Sequence, residues 1–391
     1  MRDRPARILL LAGLGLTLAG AGGGCTRTER ALQQFLERHW RAPIAPQGPP
    51  PVGFGPLESS LQPDRCGICH PAQLADWKES IHAASMGPGV AGQLEELHRT
   101  DPAQARTCYV CHAPLAEQRP GTPGYDPTLT GKGIVCGSCH VRKWQRFGPP
   151  WRDGTLRSST PRARLPHNGV TRTPAFLRSE FCKDCHQFPA SGYALNGKLL
   201  QNTYEEWKAG PAATSNVACQ ACHMPDRRHQ WRGIHDPDMV RGALTVSVNR
   251  DDTGVTLTVT NTGAGHQLPT YVTPRVVVSG ELLDAEGHVV AGSRRESVIG
   301  RAVTLDLERE LFDTRLPPGG SAVFRYAHER TPAPAGTLRL RVVVEPDHFY
   351  TDFFETLLQS GGGSGLRGIR EALEASRRSS FTVFEHSVSL D

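Results

Sequence analysis

The pentapeptide CGICH at residues 66–70 recurs, with its inner positions changed, as CYVCH at 108–112, CGSCH at 136–140, CKDCH at 182–186 and CQACH at 219–223. A single C-x-x-C followed by histidine says little, because zinc knuckles and redox dithiols share the cysteine spacing. Five in succession say more: with 16 histidines in 391 residues, chance would place histidine after all five pairs roughly once in ten million. The repeated unit is therefore the pentapeptide, and its chemistry is haem attachment. Two cysteines three positions apart form thioethers with the two vinyl groups of one haem, and the adjacent histidine is placed to bind the iron. Cys66, Cys69, Cys108, Cys111, Cys136, Cys139, Cys182, Cys185, Cys219 and Cys222 are the expected attachment points. His70, His112, His140, His186 and His223 are the expected proximal ligands of five covalently attached haem c groups. Zinc or disulfides would have to pair the motifs with one another, and an odd number leaves one without a partner.

The motifs lie within residues 64–240, about 35 residues for each, less than a polypeptide needs to build a core of its own. The porphyrins are expected to supply much of that core, with short helices and loops between them, and closely packed haems conduct electrons. The net charge is +5, and no basic run alternates with aromatic residues, which argues against nucleic acid as a partner. Redox proteins or an extracellular electron acceptor are the expected partners.

What fills the second axial position of each iron separates a wire from a catalyst. Of four methionines, Met1 lies in the leader, Met224 follows a motif histidine too closely to reach the far face of the same haem, and Met86 and Met239 read as packing residues. Histidine remains. His82 in WKESIHAASM and His167 in LPHNGVTRT are expected distal ligands, as are one or both of His229 and His235 in HQWRGIHDPDM. With His266, taken up below, they make five candidates for five irons, which favours closed, low-potential bis-histidine haems suited to outer-sphere transfer. His98, in the charged stretch EELHRT, reads as solvated and is the reserve. Surface positions explain most of His39, His288, His328, His348 and His386. The alternative is a multihaem oxidoreductase acting on a small nitrogen or sulfur compound at one open iron.

CGICHPAQLADWKESIHAASM (66–86), GIVCGSCH (133–140), SEFCKDCHQF (179–188) and TYEEWKAGPAATSNVACQACHMP (203–225) resemble the multihaem cytochromes of the cytochrome c-554 type, in which a Trp-x-x-Ser-x-His segment follows the first motif. The resemblance implies tightly packed haem pairs, an electron-carrying role in an exported compartment, and irons that need not all be six-coordinate. Pentahaem nitrite reductases are a more distant likeness. The lysine that replaces the motif histidine at their catalytic haem is absent here, since Lys183 leaves His186 in place.

Beyond residue 242 the pattern turns to alternation, in ALTVSVNR, GVTLTVTNTG, RVVVSGELLDAEG, SAVFRYAHE and TLRLRVVVEP. Strands of this length between glycine- and proline-rich turns predict an antiparallel sandwich of about seven strands over residues 241–355. Residues 356–391, with the break SGGGSG and a short helix in LRGIREALEASRR, read as a peripheral tail. The fold class is therefore α+β and multidomain, a helical and loop-rich cytochrome half followed by a β-sandwich. Between the second and third of these strand segments lies NTGAGHQLPT (261–270), whose glycines permit close backbone approach and whose Pro269 stiffens the exit. It resembles a GAGH-x-x-PT turn of sandwich domains fused to multihaem cytochromes, with Tyr271 where glycine is more usual. That resemblance implies that the sandwich supplies His266 to an iron in the other half; a solvent-facing loop histidine is the alternative.

Arg2, Arg4 and Arg7 precede the apolar stretch at 8–22, and small residues then lead to Cys25, so residues 1–24 read as a lipoprotein-like export signal and Cys25 as its lipid-attachment site. Gly22 stands where leucine is usual, and simple cleavage after residues 19–21 is the alternative. Residues 25–63 comprise an amphipathic stretch and a proline-rich segment expected to act as a semi-rigid spacer. The expected location is the periplasm or the outer-membrane or cell surface, with membrane contact only through the N-terminal lipid.

Overall fold

A computed structural model describes residues 27–327, 336–361 and 363–390; Cys25 and His328 lie outside them. In the first half the motifs end or form short helices: Pro63–Gly67 just ahead of His70, Pro102–His112, Cys136–His140, Glu180–His186 and Cys219–His223. One helical turn sets cysteines i and i+3 on the same face, which two thioethers to one ring require. Local chemistry starts these helices. Asp101 caps Pro102–His112 by accepting from the backbone N–H groups of Ala103 (3.1 Å) and Gln104 (3.0 Å), and proline stands in the first turn.

The proline-rich segment is no spacer. Helix α1 (Arg27–His39) buries Leu36 with Ala175 and Phe181, and Ile44 and Leu61 enter the core around Trp77, Leu115, Val135 and Trp144. Trp144 Nε1 donates to the Gly48 carbonyl at 2.7 Å, and the Gln47 N–H donates to Glu117 at 2.6 Å. Proline fixed the extended backbone, but the apolar residues between the prolines decided where it lies. Helices α2 (Pro88–Thr100) and α3 (Pro102–His112) pack together behind the second motif.

The second half is antiparallel and two-layered. Its strands are β1 (Leu244–Asp251), β2 (Gly254–Asn261), β3 (Arg275–Leu283), β4 (Arg295–Val303), β5 (Glu310–Asp313), β6 (Ser321–Ala327), β7 (Thr337–Glu345) and β8 (Phe381–Ser389). They form one sheet in the order β5-β4-β3-β7-β8 and another in the order β6-β2-β1. In β7 every second residue is buried, and Leu338, Leu340, Val342 and Val344 are fully inside. Each contributes about 2 kcal/mol by leaving water.

The sandwich has an eighth strand, supplied by the segment expected to be a tail. Helix α4 (His348–Gln359) leads to α5 (Leu366–Arg378), which packs on α2 of the cytochrome half, and β8 then returns to pair with β7. A Cβ on Gly92 of α2 would stand 2.8 Å from the Gly365 carbonyl oxygen, so the two backbones meet where no side chain fits. The apolar face of α5 (Ile369, Ala372, Leu373) has the spacing of a buried helix; it packs on Phe354 of α4 and also meets Gly89 and Gly92 of α2, some 280 residues earlier in the chain.

Candidate haem-binding site

None of the ten motif cysteines forms a disulfide. Motifs distant in sequence meet through them: the side chains of Cys66 and Cys136, of Cys111 and Cys185, and of Cys182 and Cys219 lie within hydrogen-bonding reach, and Cys139 lies near Cys182. The contacts run from the first motif to the third, on to the fourth, and from there to both the second and the fifth.

Three motif histidines face a second histidine. His186 and His82 have ring centres 6.2 Å apart, His140 and His229 also 6.2 Å, and His223 and His266 6.3 Å with ring planes 10° from parallel. Two metal–imidazole bonds of about 2 Å, with about 1.1 Å from each nitrogen to its ring centre, give about 6.2 Å. The separations thus match one metal ion between each pair. The sandwich turn reaches the other half, where the His266 ring lies beside that of His223. His70 and His112 have no such ring contact among the described residues, although His70 lies within electrostatic reach of His167, His140 and His229.

The second nitrogen of these rings is engaged in a uniform way. Nδ1 donates to a backbone carbonyl in His112 (Ser85, 2.6 Å), His140 (Phe147, 2.8 Å), His223 (Arg232, 2.5 Å), His229 (Arg227, 3.0 Å), His266 (Gln267, 2.8 Å) and His167 (Gly169, 3.3 Å). A carbonyl only accepts, so Nδ1 carries the proton and Nε2 presents its lone pair. Burial pushes His140, His186 and His266 down to about 4 and His82 to about 3, which keeps those four rings neutral. His70, His82 and His186 stand outside this pattern, and the His82 Nδ1 is buried without a hydrogen-bond partner. A bond to iron would satisfy it. The donor set fits haem, whereas among the described residues no three metal-ligating side chains converge as a zinc knuckle needs.

The remaining histidines sort differently. His235 is exposed, and its Nε2, the nitrogen needed for a metal, is 3.0 Å from Asp347 ahead of α4. The structure therefore places it against a carboxylate and not opposite a motif ring. His98 is exposed, with Nε2 3.4 Å from the Tyr109 hydroxyl. His39, expected at the surface, is buried at 3% exposure among Phe35, Trp40, Phe147, Phe176 and Phe181. Its Nε2 donates to the Cys139 carbonyl at 2.9 Å, bracing the third motif. The i, i+4 spacing of Phe35 and His39 on an amphipathic stretch was the available signal.

Residues 65–141 match the family described as cytochrome c554 and c-prime. A cytochrome c-554 of Nitrosomonas europaea is 29% identical over 133 residues, 31% of this chain and 55% of that protein, so the chain spans about half the length of the curated relative it matches. A penta-heme cytochrome c552 from Thermochromatium tepidum superposes with a TM-score of 0.61 at 18% identity, covering 86% of this chain and 100% of that one, a likeness of fold. The chain thus shares a stretch of sequence with the cytochromes c554 and its fold with a penta-heme cytochrome c.

Several residues position these histidines without a motif to announce them. Asp76, buried in the helix Pro71–Lys78, accepts from Arg228 at 2.8 and 2.6 Å and from the His229 N–H at 2.9 Å, tying the His229 loop to the first motif. Trp231 meets His82 and His229 edge-on at 4.6 and 5.2 Å. Asn261, fully buried, donates to the carbonyls of His266 and Leu316 (both 3.0 Å) and accepts from the Ala264 N–H (3.0 Å), shaping the turn that bears His266. Gly265 then lies so close to the helix Pro211–Thr214 that a Cβ would be 2.6 Å from that of Ala212.

Proposed function

We propose that the protein is an exported pentahaem electron carrier of the cell envelope, passing electrons between redox proteins or to an extracellular acceptor. The observation that supports this most is the facing of motif histidines by second histidines at 6.2–6.3 Å. In this reading the ligand pairs are His186 with His82, His140 with His229, His223 with His266 and His70 with His167, while Cys66/Cys69, Cys108/Cys111, Cys136/Cys139, Cys182/Cys185 and Cys219/Cys222 anchor the rings. Each haem supplies a one-electron couple at its iron. The protein's part is to hold the imidazoles neutral, fix their planes through Nδ1 and keep water from the buried pairs, so that little rearranges when charge moves. Location in the periplasm or on the outer-membrane surface, with Cys25 lipidated, belongs to the same proposal. Among the described residues no helix is long and apolar enough to cross a membrane.

The intact mass should exceed the processed polypeptide by about 3 kDa, with low-spin resonances from the paired irons. A mass without haem would overturn the proposal.

One observation favours a second reading at the His112 site. Tyr350 on α4 has its hydroxyl pKa raised by burial and by the nearby Asp347 and Cys108, and Asp347 holds His235. Acid–base groups thus gather beside the second motif. There the cytochrome would act on a small nitrogen or sulfur compound at one open iron. A single high-spin signal that shifts on adding nitrite or hydroxylamine would favour this reading; low-spin signals from every iron would remove it.

A further inference from the structure

Residues 151–172 contain five arginines and one aspartate, a formal +4 within a chain whose whole net charge is +5. Residues 151–164 are exposed without interruption. Several other arginines of this protein find carboxylates, as Arg301 does in Glu310, Arg315 in Asp313 and Arg339 in Glu281. Arg152, Arg157, Arg162, Arg164 and Arg172 make no ion pair among the described residues, and Arg172 lies near enough to Arg227 for the two like charges to repel.

The loop is nonetheless held in place. The Arg172 guanidinium sits 3.4 Å over the exposed Trp151 ring and donates to the Pro149 carbonyl at 2.8 Å. Arg227 donates to the Pro150 carbonyl at 2.7 Å, and Arg152 to that of Asp226 at 3.0 Å. A loop that concentrates unpaired charge and is still tied down at its base is preformed to meet the opposite charge, and little ordering cost remains on binding.

Its position connects it to the haem sites. The loop runs directly into His167, whose N–H donates to Glu58 at 2.5 Å and whose ring is within electrostatic reach of His70. Cys69 and His70 are exposed, whereas His140 and His186 are half-buried. The most basic surface thus borders the most accessible motif. Trp151 and Leu156, 46% and 47% exposed, add a small apolar contact. Charge that steers, with a little apolar area that releases quickly, is the make-up of a transient electron-transfer interface.

Building on the electron-carrier reading, we propose that residues 151–172 form the docking face for an acidic electron-transfer protein, which exchanges electrons at the His70/His167 site. An acidic flavodoxin in its hydroquinone form serves as the probe. Its rate of reducing the holoprotein should fall at least about tenfold between 10 and 200 mM ionic strength. R157Q/R162Q/R164Q should lower the low-salt rate by about tenfold and flatten the salt dependence, with haem spectrum and reduction by dithionite unchanged. R367Q/R370Q on α5 removes as much charge per residue and should change the rate little. Parental rate and salt slope in the triple variant would overturn the proposal. So would an unchanged flavodoxin rate together with lost binding to phosphatidylcholine–phosphatidylglycerol vesicles, which would assign the face to a lipid surface. Absence of a haem spectrum in the parent would instead defeat the electron-carrier reading itself.

Discussion

An imidazole binds a metal in one orientation only when its other nitrogen is held, and here backbone carbonyls hold six of them. The motif cysteines and histidines were legible because thioether attachment is local: five adjacent residues contain the whole requirement. Distal partners were less so, because His82 and His186 meet across 104 residues of chain. Nothing in HQWRGIHDPDM separates His229 from His235; an aspartate in the turn that follows β7 does. Trp231 also escaped notice, being an aromatic residue in a loop, yet it adopts the left-handed region at φ 43° and touches the rings of two candidate ligands. Trp231→Ala should broaden or shift two low-spin resonances, those of the His82 and His229 irons, and leave the His223/His266 signal as it was. Electron paramagnetic resonance of the variant checks this, and an unaltered spectrum would reduce Trp231 to a packing residue.

At the level of elements, alternation of apolar residues announced the strands, and β7 follows it without exception. The same reasoning stopped at the glycine-rich break, because a helix after a flexible stretch shows its apolar face but not what that face covers. α5 covers α2, and β8 closes the sheet beside β7. Proline-rich composition misled in the opposite sense, since Ile44 and Trp40 anchor the segment in the core. The turn at 261–270 was read for its histidine, but its glycines matter as much. Gly265→Val places a side chain where Ala212 already stands, so the turn must withdraw from the helix Pro211–Thr214. The expected outcome is a loss of about 2 kcal/mol in thermal or denaturant unfolding, as for other overpacked sites, with weakened low-spin character at one haem. Gly265→Ala should show the same direction in smaller degree.

Across the whole molecule, the two halves are joined by charge. Arg315 bridges Asp313 (2.8 Å) and Glu206 (2.9 Å), Lys198 reaches Glu310 and Asp313 (2.8 and 2.7 Å), and the buried Arg301 donates to Glu310 and to the carbonyls of Leu195, Lys198 and Leu199. None of this was readable from sequence, where these residues look like solvated strand ends. Burial works against the Asp313 and Glu310 carboxylates, but hydrogen bonds from the facing cations prevail and hold both below the ordinary range. A depressed folded pKa contributes stability above the unfolded value, about 4, and that contribution is lost as pH falls below it. The halves should therefore begin to separate below about pH 4, visible as proteolytic cleavage between them before the haem half itself unfolds.

That separation bears on the central claim, that the sandwich completes a haem site in the other half. The most direct test is the low-temperature electron paramagnetic resonance spectrum of the His266→Ala holoprotein. If His266 is the partner of His223, one low-spin signal should be replaced by a high-spin or water-ligated one, with the other haems unchanged and the fold intact by circular dichroism. A spectrum indistinguishable from the parent's would contradict the account and leave the 6.3 Å approach of the two rings without a metal between them.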